Sequence, residues 1–240
     1  MSAALAMFAS WHAFAFAVAC IAASAVAYFS GQRLWLRLHH APLAHPLVTA
    51  TIPLVVVLLW LDVPAATWRD STQLLYWLLG PAMVAIAVPV YRQRRTVLHA
   101  LKPVLTAVII GGITAPLLAV LVVLPFDPAR ELLLSLAPKS ITSAIAFPVA
   151  RITGGNPELA VGIVIVTGIV GGIVAPWIFS ALRIIDARII GLVLGVVAHA
   201  VGTARAIEMG YKPAAFAGVG LALTGLFTAL LLPLVVALLL

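Results

Sequence analysis

An all-α integral membrane bundle of about eight transmembrane segments, two or three of them broken or re-entrant, is the fold class this sequence predicts. Three observations predict it. Of the 240 residues 64% are apolar and only 9% charged, mean hydropathy is +1.21, and apolar runs of bilayer length recur along the chain. Soluble domains carry about 45–50% apolar and about 25% charged residues. Only hydrocarbon can solvate what a globule of this size would leave exposed.

The segments follow from runs of about 17–25 apolar residues, enough to cross ~30 Å of hydrocarbon. They are 3–29, 47–61, 74–90, 98–124, 132–150, 159–182, 189–203 and 214–240. The first has no Lys or Arg before it and a core longer than a secretory signal needs, so it reads as a retained helix, with Ala23 and Ala25 imitating a cleavage site. This gives an N-terminal helix and basic loop over 1–46 and a transport domain over 47–240.

Lys and Arg outnumber Asp and Glu 14 to 7, but the cations fill breaks between apolar runs, which points to membrane topology and not to nucleic acid. Arg33, Arg37, His39 and His40 follow the first run and Arg92, Arg94, Arg95 and Lys102 the third, so both loops are expected in the cytoplasm. Arg151 and the pair Arg183 and Arg188 cannot all join them if every segment crosses, so one segment is expected to be re-entrant. Cys20 is the only cysteine, which excludes an intrachain disulfide. His39, His40 and His45 lie in a basic loop with no Asp, Glu or Cys to complete a metal site.

Three segments are interrupted, at Gly80-Pro81 with Pro89, at Pro138 with Pro148, and at Gly202. Proline removes an amide donor, and freed carbonyls at membrane depth need protein or a wet cavity. Residues 109–118 read IIGGITAPLL and 169–178 read IVGGIVAPWI, identical at six of ten positions. Each copy follows a Pro-broken segment, by 30 residues (Pro81 to Gly111) and 33 (Pro138 to Gly171). Two related halves, parallel or inverted, are therefore expected, and paired broken helices point to a transporter site at midplane.

Ionisable residues inside apolar segments cost at least ~2.5 kcal/mol at the bilayer centre unless paired or hydrated. Lys139 stands after the break at Pro138 with Ser140, Thr142 and Ser143, so a cation, hydroxyls and a helix N-terminus converge on one point suited to a carboxylate. The competing reading has Lys139 snorkelling and the hydroxyls capping. Around Gly202, HAVGTARAIE places His199 and Thr203 near one face and Arg205 and Glu208 as i,i+3 neighbours. Arg205 can grip a carboxylate, Thr203 can hydrogen-bond it, and His199 or Glu208 can carry a coupled proton. The competing reading is a structural Arg205–Glu208 ion pair. Gly168 with Gly172 and Gly191 with Gly195 read as close-packing pairs, and Thr167, Thr224 and Thr228 can line a path but carry little weight, since a helix tolerates threonine hydroxyls bonded to its own carbonyls.

Catalysis is not expected. The four aspartates, Asp62, Asp70, Asp127 and Asp186, lie at loops, adjacent Lys139 and Ser140 point apart, and only Ser140 or Ser143 with His199 remains on distance grounds. No cofactor is implied, beyond H+ or Na+ as coupling ion.

Pro138-Lys139-Ser140-Ile141-Thr142, Gly154-Gly155, Thr167-Gly168 and HAVGTARAIE, with Leu79-Gly80-Pro81-Ala82 and Pro89-Val90-Tyr91-Arg92 upstream, make the chain resemble the LrgB (CidB-like) family of bacterial membrane proteins. The resemblance runs from about His45 through Leu240, about four-fifths of the chain. It implies a multi-pass inner-membrane protein, working beside a small LrgA- or CidA-type partner and first described in its family as a holin-like regulator of murein hydrolases and autolysis. The plastid glycolate/glycerate translocator is similar to these two modules fused, which implies a small 2-hydroxy or 2-oxo carboxylate such as glycolate, glycerate, lactate or pyruvate as cargo. A homodimer is also expected. Two departures stand out: Phe147-Pro148 replaces residues that more often include a carboxylate, and His45-Pro46-Leu47 replaces Asn-Pro-Leu. Ion coupling carried over from relatives thereby loses its acidic group.

Overall fold

The computed structural model describes residues 3–38, 44 and 46–239, and among them it is helical with no strand. His39, His40 and His45 lie outside the described residues. Among the described residues, five helical stretches have the length and composition to cross a bilayer, Trp11–Arg37, Leu101–Phe126, Pro157–Ala181, Ala187–Glu208 and Tyr211–Leu238, although Ala187–Glu208 is bent at His199. The pair Val48–Trp60 and Ala65–Ser71, bent by 119°, makes a sixth only if the two are counted as one span. Outward faces are apolar, with Ile110, Leu118, Val166, Val170, Leu226 and Leu230 all exposed. A soluble bundle would place polar residues there; here the surrounding solvent is lipid.

Contacts divide the chain into two compact units, Met1–Ala85 and Ile86–Leu240. In the first, α1 (Ala3–Arg37) runs past the expected limit at Phe29 and ends with Arg37 in its last turn, where a cation complements the helix dipole. It packs on α2 (Pro46–Trp60) at Gly31, where a Cβ would meet Thr49 Oγ1 at 2.5 Å. Then come α3 (Ala65–Ser71) and α4 (Gln73–Ala85).

The second unit holds α5 (Ala87–Arg92), α6 (Arg94–His99), α7 (Leu101–Val123), α8 (Arg130–Leu136), α9 (Ser143–Thr153), α10 (Pro157–Ala181), α11 (Ala187–Glu208) and α12 (Tyr211–Leu239). α12 serves as the ruler for the rest. A Cβ on Gly191 would collide with the Pro213 carbonyl and one on Gly195 with that of Ala217. The start of α11 therefore climbs beside α12 in the same direction, four residues against four. At His199 the backbone takes φ 41° and ψ −125°, and the chain turns back. A Cβ on Gly202 would strike the carbonyl of Leu194, eight residues earlier, although eight residues of straight helix span about 12 Å. α11 is thus a hairpin whose tip is His199, with a first limb of about 18 Å. The second limb returns to the starting level, which lets α12 begin level with α11.

α8 and α9 form a second hairpin. A Cβ on Gly155 would lie 2.8 Å from the Ser135 amide nitrogen, and the Asn156 amide donates to Ser135 Oγ at 2.8 Å. The chain therefore rises through the turn at 137–141 and returns along α9 to the level of α8. A Cβ on Gly225 would meet Ile145 Cδ1 at 2.8 Å, so α9 descends along the second half of α12. Continuing both registers puts the tips, Thr142 and His199, level with residues 221–225, the middle of α12.

The two hairpins enter from opposite ends. Val104 of α7 shares a core cluster with Phe216, and Gly112 faces the Phe227 ring, so α7 runs with α12. Val164 of α10 shares a core cluster with Ala229 and Leu232 near the end of α12, and Phe179 one with Ala217 near its start, so α10 runs against it. At the end where α12 starts lie Arg92, Arg94, Arg95, Lys102, Arg183, Arg188 and Lys212, with Arg92 over the Tyr211 ring at 4.9 Å. The other end carries Arg130 and Arg151 beside Asp127, Glu131 and Glu158. Because α10 runs from one end to the other, Arg151 lies opposite Arg183 and Arg188, which removes the conflict the loop charges pose.

Several expected breaks move. Pro81 lies inside α4 and Pro148 inside α9, since a helix whose outside is lipid or neighbouring helix re-satisfies the lost bond locally. The break near Gly202 falls at His199 instead. Glycine at 202 supplies close approach between the limbs, not the bend. Pro138 does sit in the non-helical turn, buried.

Candidate functional site

The turn that carries Lys139 is short because Pro138 ends α8 and Thr142, at φ −73° and ψ 151°, starts α9. No side chain caps α9, so its first amides face the tip, a partial positive charge in the middle of the unit. Ser140 and Thr142 are buried beside them, and Ser143 opens the helix. Lys139 Nζ reaches Ser140 Oγ at 3.5 Å and makes no ion pair among the described residues.

Lys139 lines two cavities. One, of about 500 Å³, lies between α10 and α11 and includes Thr167, Val170, Val174, Phe179 and Val197. The other, of about 490 Å³, lies against α7 at Leu118, Ala119 and Val122. The first extends toward the basic end and the second toward the opposite end. Among the described residues Lys139 is the only ionisable one lining either.

His199 is 3% exposed. Its Nε2 lies 2.9 Å from the Val164 carbonyl, so Nε2 carries the proton and donates, leaving Nδ1 an acceptor. Nδ1 is buried without a partner among the described residues. Gly168 makes room for the ring, since a Cβ there would sit 2.6 Å from Cε1. The bent backbone of a non-glycine residue at positive φ is strained, and such strain gathers at working sites.

The remaining residues divide. Thr203 Oγ1 donates to the His199 carbonyl at 2.8 Å, supporting the bend, and Gly202 seats the returning limb. Arg205 lies about 9 Å down that limb from the tip, bonded to Glu208 at 2.6 Å, and neither lines these two cavities, nor do Ser140, Thr142, Ser143 or His199. The expected residues thus fall in three places: Lys139, Ser140, Thr142 and Ser143 on the turn into α9, His199 at the tip of α11, and Arg205 with Glu208 as a pair down its returning limb; of these, among the described residues, Lys139 alone lines the two cavities. In the sequence Thr224 reads as a hydroxyl bonded to its own helix. Its Oγ1 has no partner among the described residues and the residue is 1% exposed, at the level of both tips. Sequence carries no signal of that, because position on the shared level depends on how α9 and α11 dock.

No solved structure matches the chain. The protein YxaC of Bacillus subtilis is 32% identical over 92% of this chain and 95% of its own length. "Holin-like protein CidB" of Staphylococcus aureus is 26% identical over 92% and 96%. A protein of Haemophilus influenzae is 34% identical over 66% and 68%. The family model described as "LrgB-like family" matches residues 24–238, and the chain belongs to that family.

Proposed function

We propose that this chain passes a small monocarboxylate, a 2-hydroxy or 2-oxo acid such as glycolate, glycerate, lactate or pyruvate, across the bilayer at the level where its two hairpin tips meet. The observation that carries the reading is Lys139, a cation without an anion, beside the open N-terminus of α9 and shared by cavities that extend toward opposite ends. An ammonium at this depth costs at least ~2.5 kcal/mol unless something negative or wet meets it. Serine and threonine hydroxyls at the tip hydrogen-bond the carboxylate, and His199 Nδ1 accepts from a donor on the cargo or from a coupled proton. Na+ is the alternative coupling ion.

The finer architecture belongs to the same proposal. The chain has about eight segments, counting the two hairpins as re-entrant. The repeat unit is a helix bearing Gly-Gly-Ile-x-Ala-Pro followed by a hairpin, α7 with α8–α9 and α10 with α11, inverted because α7 and α10 run in opposite directions. The basic end faces the cytoplasm of a bacterial inner membrane, and the chain works as a homodimer without enzymatic activity.

A second reading draws on the similarity to the holin-like protein CidB, and the relatives favour it over the carboxylate reading. There the chain is a holin-like membrane protein that regulates murein hydrolase activity and autolysis with an LrgA/CidA-type partner. Purified protein in liposomes separates them. Saturable uptake of glycolate, lactate or pyruvate, responsive to a pH or sodium gradient, supports transport. Unsaturable leakage of unrelated solutes, or activity only with the small partner, supports the holin-like reading.

A further inference from the structure

The cavity between α10 and α11 has walls that a small polar acid does not need. It holds about 500 Å³, and its lining from Val166 to Phe179 runs about 20 Å along α10. Beyond Lys139 and Thr167 the side chains are aliphatic or aromatic, Val174 and Val193 among them, and on its outer side, at Val166, Val170 and Ile178, the groove opens to lipid. Water fills a cavity only where it finds two to four polar partners, and most of this length offers none. The polar groups gather at one end, where Lys139 and Thr167 sit near the hairpin tips. A groove with one cation at its head and an apolar trough behind it is complementary to an acid with an alkyl chain.

We propose that this groove binds a free medium-chain alkanoate, with its carboxylate on Lys139 and Thr167 and its chain laid between α10 and α11 toward the basic end. The occupant is distinct from a C2–C3 cargo, whose every atom lies within reach of the tips. It competes with that cargo for the same ammonium, so an alkanoate is an inhibitor of passage.

The test measures equilibrium binding of radiolabelled octanoate to the full chain in nanodiscs of zwitterionic lipid, after subtraction of protein-free discs, with competition by butanoate, hexanoate and decanoate. Affinity is expected to rise about fourfold per methylene, the transfer value for a buried CH₂. Lys139→Gln should weaken octanoate at least tenfold while keeping the chain-length slope, and octanol should bind no better to wild type than to Lys139→Gln. Thr167→Val provides a milder second variant, expected to weaken binding severalfold. Octanoate binding equally to wild type and Lys139→Gln, or an affinity indifferent to chain length, would overturn the proposal and leave lipid or a second copy of the chain as what covers the groove. Binding is read without transport: octanoate bound but no saturable uptake sinks the transport reading alone, and uptake without octanoate binding sinks this one alone.

Discussion

Gly168→Ala tests the placement of His199 through a single methyl group. The new Cβ would sit 2.6 Å from His199 Cε1, 2.7 Å from Nε2 and 2.9 Å from Val201 Cγ2. Restoring ordinary contact needs a ring displacement of about 1 Å, and the 2.9 Å bond to the Val164 carbonyl does not survive that. Overpacking costs about 1–3 kcal/mol and a buried donor left unmatched about 1–3 kcal/mol, so the expected loss is about 2–6 kcal/mol. Gly162→Ala, on the same α10, meets nothing within 4 Å. It should gain about 0.5–1 kcal/mol from helix propensity. Both variants are measured by reversible unfolding in mixed micelles, alongside saturable uptake. Opposite signs are expected, with uptake lost only in Gly168→Ala. Equal stabilities for the two variants would mean that the His199 ring does not occupy the space beside Gly168.

Other substitutions examine separate parts of the site. His199→Gly keeps the bend and removes the imidazole, whereas His199→Ala leaves a Cβ at positive φ; the alanine variant should be about 1–2 kcal/mol less stable in the same unfolding assay, and both should lose uptake. Thr224→Val removes a buried hydroxyl without a partner, so stability should hold or rise while cargo affinity falls, read as a higher KM for uptake. Asp186 caps α11 outside the spanning part, and the Arg188 side chain and amide bonded to it hold its carboxyl down from 3.8 to about 2. The unfolded chain therefore binds the extra proton between those values, and stability rises with pH there. Wild type should exceed Asp186→Asn by a constant margin from pH 7 to about pH 4, with the margin closing by about pH 2 in thermal-shift measurements.

The class of the fold is legible because hydrocarbon demands it: a run such as 159–182 has no other place to go, and α10 occupies 157–181. Lys139 is legible for the same reason, as a charge in text otherwise free of charge. So is the Arg205–Glu208 pair, set by i,i+3 spacing and present at 2.6 Å. The site constellation is legible only in part. Glycine at 202 invites a bend, but its value here lies in having no Cβ against Leu194, and the strain falls on His199, whose ring is fixed by a carbonyl 35 residues away. Proline inside an apolar run reads as a break, yet Pro116, Pro176 and Pro233 sit within continuous helices. Arg205 and Lys139 look like partners because both are cations in apolar segments. The hairpin geometry separates them, since one stands at a tip and the other well down a limb.

The central claim is that the Lys139 ammonium meets the cargo. Uptake of short carboxylates into proteoliposomes, compared among wild type, Lys139→Gln and Arg205→Gln at matched insertion, addresses it most directly. A charge-assisted hydrogen bond contributes about 1.5–3 kcal/mol, so Lys139→Gln should lose about ten- to 150-fold in kcat/KM, with Arg205→Gln acting mainly on stability. Unchanged saturable uptake in Lys139→Gln would contradict the account.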